Sequence, residues 1–415
     1  MLVYVLNKDG KPLMPCSPRK ARVLLNQSKA KVVRKLPFTI KLIYGSSGYK
    51  QPLVLGVDTG SSKLGSSVVQ NNGNVIYLSE VEVRNDISDR MKQRSKYRRN
   101  RRCRKTRYRK ARFLNRKHSI KKNRFSPTMV SKINAHLKEI KFVQNILPIS
   151  KIIVETASFD VHALKNPAVL KNRWLYQKGT NYGFANVKAY VLDRDNHVCQ
   201  YCKGNSKDRK LSVHHIIFRE NKGGNEPENL ITLCKTHHYD LHHGKITLKG
   251  GKIKGSLKHA SQMNSIRVQL VKLLPEAEET FGFITKENRQ LLNLKKEHWM
   301  DATIIASQGS EVNFRNKFVL FKKCIPDGDF QQSKGIRSEQ KIPTGKILGF
   351  RKFDKVSYLN SEYFIKGRMS TGYAILMDFT GSKVNLKPIP KFIKMKRIQA
   401  RKTWIMFRKI IQNAS

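Results

Sequence analysis

The sequence predicts a multidomain α/β protein in which one sheet-centred unit is assembled from separated stretches, with other modules set between them. Three observations predict it. Leu53 to Asp58 and Lys151 to Glu155 are apolar runs that each end by presenting one carboxylate, the pattern of a buried strand reaching an open sheet edge. Residues 88–124 are about half Lys or Arg. Residues 190–245 gather cysteines and histidines at metal-ligand spacing. At 415 residues the chain is long enough for two or three cores.

The 83 Lys and Arg residues against 29 Asp and Glu give a net charge of +54. Such a surface repels itself unless a polyanion neutralises it, which points to nucleic acid, with a membrane surface as the alternative. No stretch has the length and apolarity of a spanning helix, and the N-terminus lacks a basic region followed by an apolar one. The six cysteines are few, and three of them sit at metal-ligand spacing rather than as a disulfide framework, so the expected compartment is a reducing cytoplasm, with no membrane partner.

Residues 1–48 read as a first small unit. An alternating run from Leu2 turns at Asp9-Gly10, and Ser17 is an N-cap for a helix over 18–26 with Pro18 in its first position. Lys31 to Tyr44 returns as a strand before a linker at 45–48. Residues 49–86 follow as three antiparallel strands, the last two joined at Asn71-Asn72-Gly73-Asn74. The glycines flanking Asp58 keep side chains away, so a phosphodiester backbone can approach.

No glycine or proline interrupts residues 87–124, so they read as a helix. Its charges surround the axis and forbid packing in a core. A helix lying along a nucleic-acid backbone fits, with Arg94, Arg98, Arg99, Arg101, Arg102, Arg104, Arg107, Arg109 and Arg112 on phosphates; a disordered basic tail is the alternative. Residues 125–160 open with Ser126-Pro127 capping a helix and close on the strand ending at Glu155. Residues 161–189 form an extended, partly helical connection and 190–245 a compact module. Residues 246–310 are turns and a linker leading to a helix at Glu297 to Ala306. Residues 311–415 are short strands and turns, read as a small, barrel-like β domain.

On that last helix His298 and Asp301 share a face. Asp58, Glu155 and Asp301 then converge as three carboxylates on one sheet edge, hard ligands suited to two Mg2+ or Mn2+ ions at a phosphodiester. The order of strand, hairpin, strand and helix fits an RNase H-like sheet. In the compact module Cys199, Cys202, Cys234 and His237 form C-x2-C and C-x2-H pairs, the spacing of a structural Zn2+ site that would hold a domain with little core; buried cysteines in a metal-free fold are the alternative.

GVDTGSSKLG, IIVETAS and HWMDA, in that order, resemble the three separated motifs of RuvC nucleases, and the arginine-rich run resembles their bridge helix. With KPLMP at Lys11 to Pro15, the chain resembles over essentially its whole length the IscB family of transposon-encoded, RNA-guided nucleases, related to the CRISPR effector that carries both RuvC and HNH domains. The resemblance implies a split RuvC nuclease with a PLMP domain at 1–48, RuvC parts at 49–86, 125–160 and 246–310, a bridge helix at 87–124, an inserted HNH domain at 190–245, and a C-terminal domain at 311–415. It implies that His298 acts as general base or orients water beside Asp301.

His214, His215, Asn229 and His238 resemble the HNH motif of a ββα-metal hairpin and helix. By that resemblance His215 is the general base, Asn229 orients its imidazole, and His214 and His238 hold one Mg2+; His242 or His243 is an alternative to His238. The implied function is an RNA-guided endonuclease whose HNH site cuts the guide-paired DNA strand and whose RuvC site cuts the displaced strand. Its implied partners are an omega-class guide RNA and double-stranded DNA with a short adjacent motif, the protein being a monomer in a ribonucleoprotein. A protein-read HNH endonuclease of the homing type and a non-catalytic RNA-binding protein are the competing readings.

Overall fold

The computed structural model describes residues 2–46, 48–103, 125–179, 181–206, 208–221, 223–248, 250, 257–314, 316–326, 346–369 and 371–411, without the side chains of 97–103. It is a mixed α/β chain with four sheets in two compact units, Met1–Ser158 with Gln262–Ser415, and Phe159–Ser261.

The first unit begins with strands β1 (Val3–Leu6) and β2 (Pro12–Cys16), helix α1 (Pro18–Asn26) and strands β3 (Ala30–Arg34) and β4 (Thr39–Leu42), in the order β2-β1-β4-β3. Ser17 accepts from the amide of Lys20 and so stops the chain entering α1 earlier. Strands β5 (Leu53–Asp58), β6 (Lys63–Gln70) and β7 (Val75–Glu82) form the expected antiparallel meander, turning between β6 and β7 at Gly73, whose φ is +76°. Helix α2 (Ile87–Cys103) carries Arg94, which is exposed, and the backbone of Arg98, Arg99, Arg101 and Arg102. Arg104, Arg107, Arg109 and Arg112 lie outside the described residues. Helix α3 (Pro127–Gln144) starts at the Ser126 cap, and β8 (Lys151–Thr156) runs parallel to β5 with Glu155 in register with Asp58.

The second unit opens with helix α4 (Val161–Lys165), two short 3-10 turns and helix α5 (Val187–Arg194). A hairpin of β9 (Leu211–His215) and β10 (Leu230–Cys234) then leads straight into helix α6 (Lys235–His242). Its small core is Cys199, Leu233, Cys234 and Leu241.

The chain returns to the first unit in helix α7 (Lys258–Leu273), strand β11 (Glu278–Phe281), helix α8 (Gly282–Leu291), helix α9 (His298–Ser307) and strand β12 (Phe318–Cys324). Strands β13 (Lys355–Tyr358), β14 (Ser361–Arg368), β15 (Ala374–Met377), β16 (Lys383–Val384) and β17 (Lys396–Gln399) make one sheet, and β18 (Trp404–Ile410) ends the described chain. That sheet runs β16-β15-β14-β13-β17, among the described residues an open order rather than the expected barrel-like form. The central sheet has the order β11-β8-β5-β6-β7-β12-β18.

Two features of this sheet depart from expectation. Residues 311–415 are not a domain apart, because β12 pairs parallel to β7 and β18 pairs with β12. The cause is a buried pair: Lys322 of β12 reaches Glu139 of α3 at 2.7 Å, both side chains wholly enclosed, with Ser66, Ser79 and Tyr77 also bonded to that carboxylate. Removing either partner would strand a buried charge, which ties β12 to this core. The stretch before α9 likewise supplies an edge strand, β11, parallel to β8.

Alternation along β5 sorts the two faces. Leu53, Leu55 and Val57 enter the core shared with α3 and α7, while Gly56 and Asp58 face α9. A Cβ on Gly56 would stand 2.2 Å from the carbonyl oxygen of Ala302, and one on Gly65 would stand 1.9 Å from that of His298. These glycines therefore admit the α9 backbone rather than a phosphodiester, and that close approach sets α9 over the Asp58 end of the sheet.

Candidate active sites

In the first unit β5 ends at Asp58, β8 carries Glu155 beside it, and the first turn of α9 adds His298 and Asp301. Nδ1 of His298 lies 2.6 Å from Oδ2 of Asp58. Burial raises the Asp58 carboxyl above its ordinary range, opposed by His298 and reinforced by the charge of Asp301. Burial and then the charge of Asp58 push Glu155 up to about 7, with a hydrogen bond from Thr285 acting the other way. Oε2 of Glu155 is buried and has no hydrogen-bond partner. Crowded, enclosed carboxylates of this kind favour a proton or a cation.

Two residues that the sequence did not single out complete this site. Thr285 and Arg289 stand four apart on α8, the first on Glu155 and the second on Asp301, where Nη1 lies 2.6 Å from Oδ1. Among the described residues, only two groups of His, Cys, Asp or Glu bring three or more ligand atoms within 4.8 Å, and the carboxylates are not one of them. Arg289 supplies the positive charge at Asp301. The all-oxygen donor set and the orphaned Glu155 oxygen fit a hard divalent cation, which would have to displace Arg289 from Asp301.

Both of the multi-ligand groups are in the second unit. One is Cys199, Cys202, Cys234 and His237, of which Cys234 Sγ lies 3.0 Å from His237 Nδ1. Cys199 and Cys202 flank the turn before the hairpin, while Cys234 ends β10 and His237 is on the first turn of α6. Burial raises the Cys199 thiol. At Cys202 burial is outweighed by the backbone amides of Ser206 and Gly204, which lower it. The three soft thiols and one imidazole fit Zn2+, which would cross-link the hairpin to the helix.

The other group is His214, His238 and His242. His238 and His242 stand one helical turn apart on α6 and face His214 on β9, with His214 Nε2 3.0 Å from His242 Nε2. Nδ1 of His214 donates to the His215 carbonyl at 2.7 Å, which leaves Nε2 as the free lone pair. Burial holds His214 below its usual range, and burial followed by the charge of His242 does the same to His238, so the rings stay neutral and able to ligate. His242 joins His238 as a third partner instead of replacing it. His243 instead stacks on Tyr239. Three imidazoles suit a borderline transition ion better than Mg2+.

His215, next along β9, does not meet Asn229. Its Nε2 donates to Oδ1 of Asn225 at 2.9 Å, and the same oxygen accepts from Nη2 of Arg219 at 3.0 Å. Asn229 is buried and clamps the loop instead, accepting from the amide of Ile217 and donating to the carbonyls of Ile217 and Gly224. Asn225 sits in an exposed glycine-containing loop, where no periodicity marked it.

The RRXRR protein family matches residues 3–179, and the HNH endonuclease family matches residues 199–244. The first match includes Arg98-Arg99-Asn100-Arg101-Arg102, which reads RRxRR, and implies nucleic-acid binding. The second spans both His and Cys groups, so the second unit carries an HNH endonuclease domain. No curated protein matches the chain. Among the described residues no helix is long and apolar enough to cross a membrane.

Proposed function

On the premise that this chain, an RRXRR segment followed by an HNH endonuclease domain, is an IscB-like protein, we propose that it is an RNA-guided endonuclease that cuts both strands of DNA. The observation that carries the reading is that each unit holds its own cluster of ionisable side chains, Asp58 with His298 in the first and the three-histidine group in the second. Base pairing with a guide RNA of the omega class would read the sequence, while the arginine-rich segment and the +54 charge hold phosphates.

In the HNH site His215, held by Asn225, takes the proton from the attacking water, and the strand it acts on is the guide-paired one. His214, His238 and His242 would hold a divalent ion, which supplies charge neutralisation at the scissile phosphate. In the other, RuvC-type site Asp58, Glu155 and Asp301 would hold Mg2+ or Mn2+ and act on the displaced strand, with His298 keeping Asp58 ionised. Residues 1–48 then correspond to a PLMP domain, 87–124 to a bridge helix, and the sheet after 346 to the part that meets a short motif beside the target.

The test is plasmid cutting by the copurified ribonucleoprotein. Asp58→Ala and His215→Ala should each nick a supercoiled plasmid, on opposite strands, where the native protein linearises it. Loss of both cuts from either single change would refute the two-site assignment. A second reading, an HNH endonuclease read by protein with a silent carboxylate site, draws on the Arg289–Asp301 ion pair. It predicts nicking by the native protein without any structured RNA bound.

A further inference from the structure

We propose that Phe281 and Phe283, on either side of Gly282 at the junction of β11 and α8, form a stacking platform for an unpaired nucleotide of the DNA strand that enters the carboxylate site. This rests on the reading of that site given above and names what it grips. The junction is fixed by Gly282, where a Cβ would stand 2.9 Å from Oε1 of Glu155. The chain must therefore pass against the carboxylate at this point, and its two neighbours are held close by.

Both neighbours are phenylalanines, and both are in the open: Phe281 is 37% exposed and Phe283 69%. Their rings are nearly parallel, 8° apart in plane, with centroids 6.3 Å apart. The Arg267 guanidinium lies 6.0 Å from the Phe281 ring centre and is fixed by two hydrogen bonds to Glu279, so the pair is braced from the protein side. Ile284 extends the exposed apolar surface. Exposed rings beside an enclosed acidic site cost hydration and contribute nothing to the core.

The charge around them selects the occupant. Lys286, Lys295 and Lys296 are exposed on the same stretch, and Lys296 acts electrostatically on Asp58. Cations for phosphates interleaved with rings for bases are the requirements of a single strand; duplex bases are already stacked on each other and offer no free face. The endonuclease domain makes DNA the substrate, so the unpaired nucleotide is taken to be DNA.

The experiment places 2-aminopurine at successive positions of one strand of a DNA bubble and follows its emission on binding the full-length ribonucleoprotein in the Asp58→Ala background. Quenching at one or two adjacent positions is expected, lost in Phe283→Ala and retained in Phe283→Trp. With Asp58 intact, Phe283→Ala should raise KM for the Asp58-dependent cut roughly tenfold with kcat little changed, leave the His215-dependent cut alone, and scatter the cut position. An unchanged aminopurine signal and KM in Phe283→Ala overturns the platform, as does equal loss of both cuts, which would mean that the rings serve folding or a protein contact. Equal quenching by a fully paired duplex, or quenching only by an RNA strand, overturns the assignment to unpaired DNA. If Asp58→Ala leaves its strand cut, the carboxylate reading fails and takes the platform with it. Phe283→Ala losing nothing while Asp58→Ala still fails to cut its own strand sinks the platform alone.

Discussion

Nδ1 of His298 meets Oδ2 of Asp58 at 2.6 Å across 240 positions of sequence. The contact depends on Gly65, whose missing Cβ leaves room for the His298 carbonyl, so the glycine that lets α9 settle on the sheet also delivers the imidazole. The pair shares a proton unequally. The hydrogen bond to Asp58 raises His298 above its ordinary range, against the effect of burial, while burial raises Asp58 against the effect of His298.

His298→Ala should therefore leave Asp58 harder to ionise. A buried carboxylate that loses a charged donor forfeits about 1.5–3 kcal/mol, so the Mg2+ needed for the Asp58-dependent cut should rise about tenfold or more at pH 6.5. At pH 8.5 the requirement should converge on that of the native protein. Titrating Mg2+ at both pH values checks this, and a requirement that shifts equally at both would assign His298 another role.

The HNH site separates orientation from clamping. Asn225→Ala removes the partner of His215 and should reduce the cut on that strand by at least tenfold with thermal stability unchanged. Asn229→Ala removes three hydrogen bonds to the loop and should cost the domain about 1–3 kcal/mol. Melting curves beside strand-specific cutting distinguish them. Equal melting of the two variants would contradict the division of labour.

Much of this was legible in the sequence, and the rest was hidden for identifiable reasons. Caps at Ser17 and Ser126, the Gly73 turn and the carboxylate-ending strands announce themselves locally. Strands β11 and β12 do not, because their place in the sheet is decided by partners far along the chain, Glu155 for one and the buried Glu139 for the other. Thr285 and Arg289 look like ordinary polar residues of an amphipathic helix until α8 is set against the carboxylates. The Asn229 role was misread because a buried asparagine near a histidine satisfies backbone as readily as a ring.

Two metal sites with different duties should respond to different changes. Cys202→Ser should lose one equivalent of zinc by mass spectrometry and lower the melting temperature of the HNH domain, because the ion would tie hairpin to helix across a small core. His242→Ala should keep that zinc and the melting temperature, yet abolish the cut on the His215 strand. Mn2+ or Ni2+ should support that cut at lower concentration than Mg2+, as three imidazole ligands require. Loss of the structural zinc in His242→Ala would show the two clusters to be one.

His136 offers a pH test inside the first unit, at a residue that belongs to neither cluster. It is fully buried on α3, with Nδ1 2.8 Å from the Lys132 carbonyl and Nε2 without a hydrogen-bond partner. Burial, helped by the charge of Lys132, lowers it to about 4 from an ordinary 6.5. The unfolded chain therefore binds a proton that the folded chain refuses between those values, so stability present above pH 6.5 is lost as pH falls towards 4, by about 3 kcal/mol in full. His136→Gln should flatten that slope, read as melting temperature between pH 7 and 5 against the native protein. Parallel slopes would mean that His136 is already accessible to protons. The consequence reaches the carboxylate site, because Lys132, one turn away on α3, bonds the Ser61 carbonyl and the Asn85 side chain. Ser61 belongs to the loop that follows Asp58, and Asn85 leads into the arginine-rich α2, so protonating His136 should loosen the seat of Asp58 before the unit unfolds.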